Sequence, residues 1–514
     1  MSNSANQSAG QLPSYITSAT PNSPTNRAPW YKNTAPTYAG IFLWFVFWQD
    51  AVNAPDSGGG LAQGLGIALL GIAAAALICH FLFYLAPGLL GQRTGLPLYI
   101  VGTSTFGAAG GFLMPGFLMG LLQFGWLGVN IYFSSLALAA FTGMNAKILM
   151  VVWGVLAAFV GLKGIQYVAK VATFLPLIPI AVLVIMFVKT AGGIGGFNAQ
   201  TMSDTHFAVA TSTIQTAAVN PPLHFGNLLA FIMTYIVGFF ATAGAAGVDF
   251  GTNSRNSGDV KMGGMVGVAL AIFLTAGLSA MIVAGVHGSS QYSKSAADAA
   301  KASVAKAVES AQATAKAAGK ELSDEEMEAI SVKTAGSALY QTPNLIKVVM
   351  GDKMHGLMMF LLALAAFPPA CFSSFIAANS FKTTLPKVNP FISVGIGAAI
   401  SILLAVTDLA GQVIPVFVII GASFGPICGA MMVDFLLSGG KWSGPRAGFN
   451  PAGWIAWALG FAVGILPNFG LPVPAAPVAA FVVGTVVYFI CFKLGLRSAV
   501  VPMSPAAAPA MAAK

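Results

Sequence analysis

One stretch of the sequence indicates the fold, residues 91–135: GQRTGLPLYIVGTSTFGAAGGFLMPGFLMGLLQFGWLGVNIYFSS. It begins with a basic turn at Arg93, passes through a glycine-rich piece that is a poor helix former, and continues as a long apolar run. Trp126 and Asn130 lie inside that run, four residues apart, so a helix places them on one face. A flat aromatic ring beside an amide suits a planar ligand with hydrogen-bonding edges.

The composition indicates a membrane protein. Of 514 residues, 56% are hydrophobic and only 8% are charged, whereas a soluble domain carries about 25% charged residues. The four cysteines each lie inside an apolar segment, and no spacing suggests a metal site. No catalytic arrangement such as a Ser-His-Asp set is present, so we expect neither an enzyme nor an enzymatic cofactor.

Twelve apolar runs reach the roughly 20 residues that a helix needs to cross a bilayer. Their limits are 37–56, 61–87, 111–141, 146–164, 168–190, 228–249, 263–287, 356–378, 389–408, 411–437, 450–467 and 473–494. Spans one to seven then occupy residues 37–288, and spans eight to twelve occupy residues 356–497. We expect residues 1–36, which are polar and rich in Ser, Asn, Pro and Thr, to form a disordered cytoplasmic tail. We expect residues 498–514 to form a second cytoplasmic tail.

The basic residues predict the orientation. With the N-terminus inside, fourteen Lys and Arg residues fall on the cytoplasmic side and two fall outside, apart from one polar insert. The inner set is Arg27, Lys32, Arg93, Lys163, Lys170, Arg255, Lys261, Lys382, Lys387, Lys441, Arg446, Lys493, Arg497 and Lys514; the outer set is Lys147 and Lys189. This asymmetry follows the positive-inside rule. It predicts a multi-pass protein of the cell (inner) membrane with both termini in the cytoplasm, and it explains the net charge of +9 without nucleic acid.

The polar insert, residues 289–355, separates spans seven and eight and is predicted to lie outside the cell. It carries eight lysines and eight acidic residues, so it is neutral overall. Residues 294–318 are rich in Ala and Lys and predict a helix. Ser323 followed by Glu326 is a capping-box pattern that opens a second helix. A solvated helical hairpin is the plain interpretation, and partner binding or gating is the alternative.

Several spans contain residues that interrupt helical hydrogen bonds. Span one carries QDAVNAP at residues 49–55, span six carries Gly238, Gly244 and Gly247, and span eight carries Pro368-Pro369. Broken helices at membrane depth are tolerated only where protein or a water-filled cavity satisfies the freed backbone. Interruptions in spans one and six, five spans apart, have the spacing of an inverted five-plus-five repeat.

Four polar side chains in predicted spans are candidates for ligand or ion binding. Asp50 is the acid placed deepest in a span; burying its charge costs at least about 2.5–3.5 kcal/mol on insertion scales, so a cavity, cation or partner is expected, unless span one ends early. The hydroxyls of Ser373 and Ser374 are the oxygen ligands that a hard cation prefers, although serines in membrane helices also bond to the backbone. Asn379 reads as a buried amide. Core packing remains the alternative for Asn379 and for Trp126.

Four segments resemble the nucleobase–cation symporter family, and especially its cytosine-permease branch. They are GQRTGL at 91–96 with STFG at 104–107, GWLGVN at 125–130, Phe239-Phe240-Ala241 through Val248-Asp249-Phe250 with Arg255-Asn256, and Ser373-Ser374 with Asn379. The likeness runs from about residue 37 to residue 497 and excludes the insert. It implies a twelve-span transporter of the leucine-transporter-like fold, in which spans one to five and six to ten are inverted repeats, followed by two C-terminal helices.

The resemblance also implies which residues bind the substrate. Trp126 and Phe240 would be aromatic plates on either side of the ligand ring. Asn130 and Asn379 would read its amide edges, and Gln49 would complete the substrate-binding set.

The same resemblance implies a sodium site on span eight. Ala370, Ser373 and Ser374 would supply it, together with the backbone of span one near Gln49 and Asp50. An acid in the first broken helix departs from the family pattern, so the coupling ion is left open between sodium and a proton. The long insert is a second departure.

The expected function is secondary active import of a nucleobase or related planar heterocycle, such as a cytosine-, purine-, hydantoin- or allantoin-like compound. Transport would use cation symport with alternating access, so the expected partners are the small-molecule substrate, the coupling cation and the lipid bilayer. Two alternatives remain. One is a proton-coupled transporter of another small heterocycle or vitamin, and the other is a channel or sensor that uses the insert.

Overall fold

The computed structural model describes residues 12–33, 59–163, 175, 177–214, 224–340, 342–385 and 387–503. Within this part of the chain, ten helices are long and apolar enough to cross a membrane, and an eleventh apolar helix is shorter. The predicted first span, residues 37–56, lies outside the described residues. The count of twelve spans therefore remains a prediction.

Fifteen helices carry the architecture. They are α1 Leu65–Thr94, α2 Phe112–Thr142, α3 Ala146–Lys163, α4 Leu177–Thr190, α5 Ala199–Ala210, α6 Phe225–Ala245, α7 Ser257–Gly288, α8 Ser290–Ala317, α9 Asp324–Tyr340, α10 Thr342–Met350, α11 Asp352–Thr384, α12 Pro390–Val406, α13 Val413–Leu437, α14 Pro451–Ile465 and α15 Ala476–Lys493. Apart from α5, α8, α9 and α10, these helices correspond to predicted spans two to twelve. Helices α1, α2 and α7 each contain one π-helical segment, where the helix is locally wider.

Local sequence signals explain where several helices begin or end. Gly95 and Gly143 adopt the left-handed conformation, with φ of +67° and +72°, and so close α1 and α2. Asn389 caps α12: its side-chain oxygen accepts a hydrogen bond from the backbone N–H of Phe391 at 2.9 Å, and Pro390 follows as the first helical residue.

Helices α2 and α11 approach each other closely along their length. A Cβ atom at Gly120 would lie 2.8 Å from the hydroxyl oxygen of Ser380, and that hydroxyl donates a hydrogen bond to the Gly116 carbonyl. One turn further along α2, Phe124 stacks on Phe381 with ring centroids 5.6 Å apart. These contacts hold α2, which carries Trp126, against α11, which carries the serine pair.

The structure shows no helix break at two of the predicted interruptions, Gly238 and Pro368-Pro369. Helix α6 continues through Gly238, where the missing side chain admits the Phe417 carbonyl; a Cβ atom there would lie 2.6 Å from that oxygen. The helix ends at Ala245, and a short helix Gly247–Thr252 follows after Ala246, so the predicted interruption at Gly247 is confirmed. Helix α11 likewise stays helical through Pro368-Pro369. In α6 the glycine serves close helix packing, which has the same sequence signal as a break.

The expectation of a disordered tail up to residue 36 is wrong for residues 12–33, here called the N-terminal strap. Ile16 is fully buried. The Arg27 guanidinium donates to the Gln92 carbonyl at 2.8 Å, and the backbone N–H of Trp30 donates to the Asp259 carboxylate at 3.2 Å. Composition did not reveal this, because a few anchoring side chains and backbone hydrogen bonds hold the strap instead of an apolar run.

Contacts group the loops as the predicted topology does. The strap contacts Gln92 and Asp259, and the strap and both of these residues lie on the predicted inner side. Lys147 and Asp408, both at predicted outer ends, form an ion pair of 3.9 Å. The sides of the bundle are thus consistent, while their orientation in the cell remains a prediction.

The insert contains the expected helices. Helix α8 begins at Ser290 and buries a stripe at four-residue spacing: Ala296, Ala300, Val304 and Val308. The capping box before α9 is present, because the Glu326 N–H donates to the Ser323 hydroxyl at 3.2 Å and the Ser323 N–H donates to the Glu326 carboxylate at 2.9 Å. A hydrogen bond from Lys320 lowers the pKa of the Glu326 carboxyl.

The insert also packs on the membrane domain, which a purely solvated hairpin would not do. Tyr340 at the end of α9 meets the His206 ring of α5 edge-on, with ring centroids 5.9 Å apart, and the His287 ring of α7 at 5.4 Å. These contacts give the insert a fixed position over α5 and α7.

Candidate functional site

Trp126 lies half-buried on α2, among aromatic rings from two other helices. Its indole meets Phe239 of α6 edge-on, with ring centroids 4.8 Å apart and an interplanar angle of 84°. It is tilted against Phe417 of α13 at 5.6 Å and 37°. Phe417 also meets Tyr235 of α6 edge-on at 5.0 Å. Edge-to-face contacts of this kind are favourable and directional, so they hold the indole in one orientation.

A hydrogen bond fixes the indole further. The Trp126 Nε1–H donates to the hydroxyl oxygen of Thr242 on α6 at 3.2 Å. Thr242 is buried, with 5% of its surface exposed. Because Thr242 and Phe239 are three residues apart on one helix, the same face of α6 contacts both the ring and the N–H of the indole.

Asn130 shares the face of α2 with Trp126, as the four-residue spacing predicted. Its side-chain N–H donates to the backbone carbonyl of Trp126 at 2.8 Å, and the residue is half-buried. A carboxamide carries two N–H groups and one carbonyl oxygen. This bond uses one of the two N–H groups and anchors the amide one turn from the indole.

The ring of α6 in direct contact with Trp126 is not that of Phe240, whose predicted role as a plate beside the ligand stays a prediction. Phe239, not Phe240, is the ring of α6 that lies against Trp126, whereas Phe240 is 1% exposed and belongs to the packed interior. Neighbouring residues on a helix point about 100° apart, so only one of the two faces the indole. Phe417 and Thr242 were missed entirely, because they reach the site from distant parts of the chain.

The predicted ion ligands lie within one turn of α11. Ala370 and Ser374 are fully buried and Ser373 is 6% exposed. The Ser374 hydroxyl donates to the Ala370 carbonyl at 3.5 Å. Hydroxyl and carbonyl oxygens suit a sodium ion, so these residues fit one side of the predicted site. The other side was predicted from Gln49 and Asp50, which lie outside the described residues.

Helix α3 reaches this turn of α11 through Gly161. A Cβ atom on Gly161 would lie 2.5 Å from the Cys371 carbonyl oxygen and 2.8 Å from the Cβ of Ser374. The absent side chain therefore sets how closely α3 approaches the serine pair. A lone glycine within an apolar run carried no sequence signal for this role.

Asn379 is exposed, so its description as a buried amide is wrong. On the same helix, Ala377 and Phe381 are buried and cluster with Phe124 of α2. Asn379 is two residues from each of them, about 200° around the helix, and therefore points away from that contact. Among all the residues that the structure describes, no group of three or more His, Cys, Asp or Glu side chains could hold a metal ion.

Sequence comparison finds partial relatives. No family model matches the chain. It is 27% identical to the cytosine permease of Escherichia coli strain K12 over 228 residues, which is 44% of this chain and 46% of that protein. The cytosine permease of Escherichia coli O157:H7 matches at the same identity and coverage. The chain thus matches about half the length of these curated relatives.

Structure comparison covers nearly the whole chain. The inward-facing conformation of Mhp1 superposes with a TM-score of 0.61 at 17% identity, covering 93% of both chains. Mhp1 in a closed conformation with bromovinylhydantoin bound, described as a nucleobase-cation-symport-1 family transporter, gives 0.57 at 16% identity, covering 94% of this chain and 96% of the other. The resemblance to nucleobase–cation symporters is confirmed.

A third solved structure shows the breadth of this fold. A Na⁺-coupled sialic acid symporter in a substrate-bound outward-open state gives a TM-score of 0.57 at 13% identity, covering 93% of this chain and 92% of that one. The predicted all-α, leucine-transporter-like membrane fold is therefore confirmed. The relatives and structural neighbours in these comparisons are permeases and transporters, not enzymes.

Proposed function

We propose that the protein is a secondary active transporter that imports a nucleobase or a related planar heterocycle by cation symport with alternating access. One observation carries the proposal: a half-buried indole on α2, oriented by Thr242, with the Asn130 amide one turn away. The cytosine permeases and Mhp1 with bromovinylhydantoin bound support it, because cytosine and the hydantoin ring are planar and have amide-like edges.

Substrate binding would divide into stacking and edge recognition. Stacking a base on an aromatic side chain is worth about 1–3 kcal/mol and tolerates any ring. Selectivity then depends on hydrogen bonds to the ring edges, since a buried polar group left unpaired costs about 1–3 kcal/mol. Asn130 supplies such groups beside Trp126. Asn379, although exposed and turned away from Phe124, is the proposed second amide.

Ion coupling would act through α11. A cation held by the oxygens of Ala370, Ser373 and Ser374 and by the backbone of the first span would stabilise one arrangement of the helices. Substrate then shifts the equilibrium by its differential affinity for the closed state. Rocking of one helix bundle against the other exposes the site to the opposite side.

The test is uptake into proteoliposomes. Radiolabelled cytosine, uracil, hypoxanthine, hydantoin and allantoin are offered under an inward sodium gradient and, separately, a proton gradient. We expect at least one of them to accumulate. Absence of uptake of every planar amide-bearing heterocycle under both gradients would reject the proposal.

Two matched variants tie transport to the site. Trp126→Ala should abolish binding and uptake without loss of expression. Trp457→Ala removes another half-buried indole, whose N–H donates to the Ser423 carbonyl at 3.1 Å on α13, and should keep uptake. Wild-type substrate affinity in Trp126→Ala would show that the indole serves core packing and does not bind the substrate.

The coupling ion has its own test. Ser374→Ala should raise the sodium concentration needed for half-maximal uptake more than it raises the substrate KM. Asp50→Asn separates the two ions: loss of pH-driven uptake with retained sodium-driven uptake would support the proton as the coupling ion. Planar-bilayer recording excludes the channel alternative if it shows no solute-independent current.

A further inference from the structure

One face of α15 presents a continuous apolar stripe that ends in two basic residues. Val482 and Val486 are each 49% exposed, Phe489 is 44% exposed and Ile490 is 48% exposed. Their spacing of four, three and one residues places them on one helical face. The opposite face is buried against the bundle through Phe481, Gly484, Tyr488 and Cys491. The stripe, named here the α15 stripe, therefore faces outward from the protein.

The length of the α15 stripe matches one leaflet of a bilayer. From Val482 to Lys493 the helix advances eleven residues, or about 16 Å at 1.5 Å per residue. Half of a hydrocarbon core of about 30 Å is about 15 Å. If the stripe covers the acyl region of one leaflet, Lys493 reaches the depth of the phospholipid headgroups.

A defined turn follows α15 and leads to a second basic residue. The Leu496 N–H donates to the Cys491 carbonyl at 2.9 Å, and Gly495 adopts a φ of +77°, which is a helix-ending turn of the Schellman type. Arg497 follows this turn, and its guanidinium carbon lies 4.0 Å from the centre of the Phe492 ring. The Lys493 ammonium lies 5.6 Å from the Phe489 ring. Both basic residues are exposed.

The carboxylates on this side of the molecule are already engaged. Asp249 accepts the Leu98 N–H at 2.9 Å. Asp259 pairs with Arg255 at 2.9 Å, and Asp434 pairs with Arg446 at 3.4 Å. Among the described residues, neither Lys493 nor Arg497 has a carboxylate within ion-pair distance. An anion from outside the protein is the partner that their charge and position fit.

We propose that the α15 stripe, with Lys493 and Arg497, binds an anionic phospholipid. One acyl chain lies along the exposed valines and Phe489, and the phosphate sits between the ammonium and the guanidinium. A guanidinium presents paired N–H donors that match two phosphate oxygens, and both cations attract a net negative headgroup. The site is separate from the Trp126 site and does not depend on the proposed transport function.

The test compares lipids on the full-length protein purified in neutral detergent. Thermal unfolding is followed with added phosphatidylglycerol, phosphatidylcholine or soluble glycerol 3-phosphate, and native mass spectrometry counts bound lipid. We expect phosphatidylglycerol to raise the Tm more than phosphatidylcholine, and glycerol 3-phosphate to leave it unchanged. The excess shift should vanish in the double variant Lys493→Gln, Arg497→Gln.

Two further variants keep the inference falsifiable. Lys189→Gln removes a cation from the opposite side of the bundle and should retain the full phosphatidylglycerol shift. The exchange Lys493→Arg, Arg497→Lys preserves both charges and should retain it as well. An equal shift with phosphatidylcholine, an equal shift with glycerol 3-phosphate, or an undiminished shift in the Gln double variant would each overturn the proposed lipid site.

Discussion

The indole N–H of Trp126 and the hydroxyl oxygen of Thr242 are joined by a hydrogen bond of 3.2 Å between α2 and α6. The two residues are 116 positions apart in the chain. The bond holds the edge of the indole while Phe239, on the same face of α6, contacts the ring. The orientation of the proposed stacking surface therefore depends on a residue that does not itself stack.

Replacing Thr242 with valine should weaken substrate binding without abolishing it. Valine keeps the shape but removes the acceptor of the indole N–H, and a neutral hydrogen bond contributes about 0.5–1.5 kcal/mol. We expect the uptake KM to rise roughly 2- to 10-fold by the same energy range. Thr234→Val is the control, because the Thr234 hydroxyl donates within α6, to the Ala230 carbonyl at 2.8 Å. An unchanged KM in Thr242→Val would contradict the orienting role.

A methyl group at Gly161 should push α3 away from the serine pair. The new Cβ would lie 2.5 Å from the backbone oxygen of Cys371, which cannot move aside as a flexible side chain can. Overpacking of this kind costs about 1–3 kcal/mol, so the Tm should fall and the sodium requirement should rise. Gly395→Ala on α12, where nothing lies within 4 Å of the added atom, should keep both. Equal behaviour of the two variants would refute the tight contact.

The buried pair of Asp434 and Arg446 should show strong coupling. Their side chains are 3% and 5% exposed, and the Tyr488 hydroxyl also donates to the carboxylate at 2.8 Å. Arg446→Met leaves a buried charge without its cation, which costs about 3–5 kcal/mol.

The double variant Asp434→Asn, Arg446→Met should recover part of that loss, measured as thermal stability in detergent. The single variant Asp434→Asn is measured as well, so that the four proteins form a double-mutant cycle. If the losses of stability in the two single variants add up to the loss in the double variant, the two groups act independently.

The N-terminal strap should loosen when its buried anchor is truncated. Ile16→Ala removes apolar atoms from a fully buried site, at a cost of about 2 kcal/mol or more. Local opening then becomes more frequent, and amide exchange of residues 12–33 should speed up roughly 10-fold or more. Thr17→Ala, at the exposed neighbouring position, should leave the exchange rates as they are. Exchange in the Ile16 variant as slow as in the wild type would show that other contacts hold the strap.

The sequence alone determined most of the membrane architecture. A bilayer offers no hydrogen-bond partners, so a chain must cross it in helices of about 20 apolar residues, and such runs are visible in any sequence. The spacing of Trp126 and Asn130 on one helix followed from the same periodicity. The capping box at Ser323 was equally local, and the structure contains both of its hydrogen bonds.

Which side chains meet between helices depends on tertiary packing. Whether Phe239 or Phe240 faces the indole depends on a helix rotation of about 100°, and nothing in the local pattern sets that angle. Phe417 and Thr242 join Trp126 from segments far along the chain, and Ile16 anchors a strap whose composition reads as disorder. Within one helix, backbone geometry relates neighbouring positions, so sequence suffices. Between helices, close packing at residues such as Gly161 and Gly238 sets the register, and that information exists only once the chain has folded.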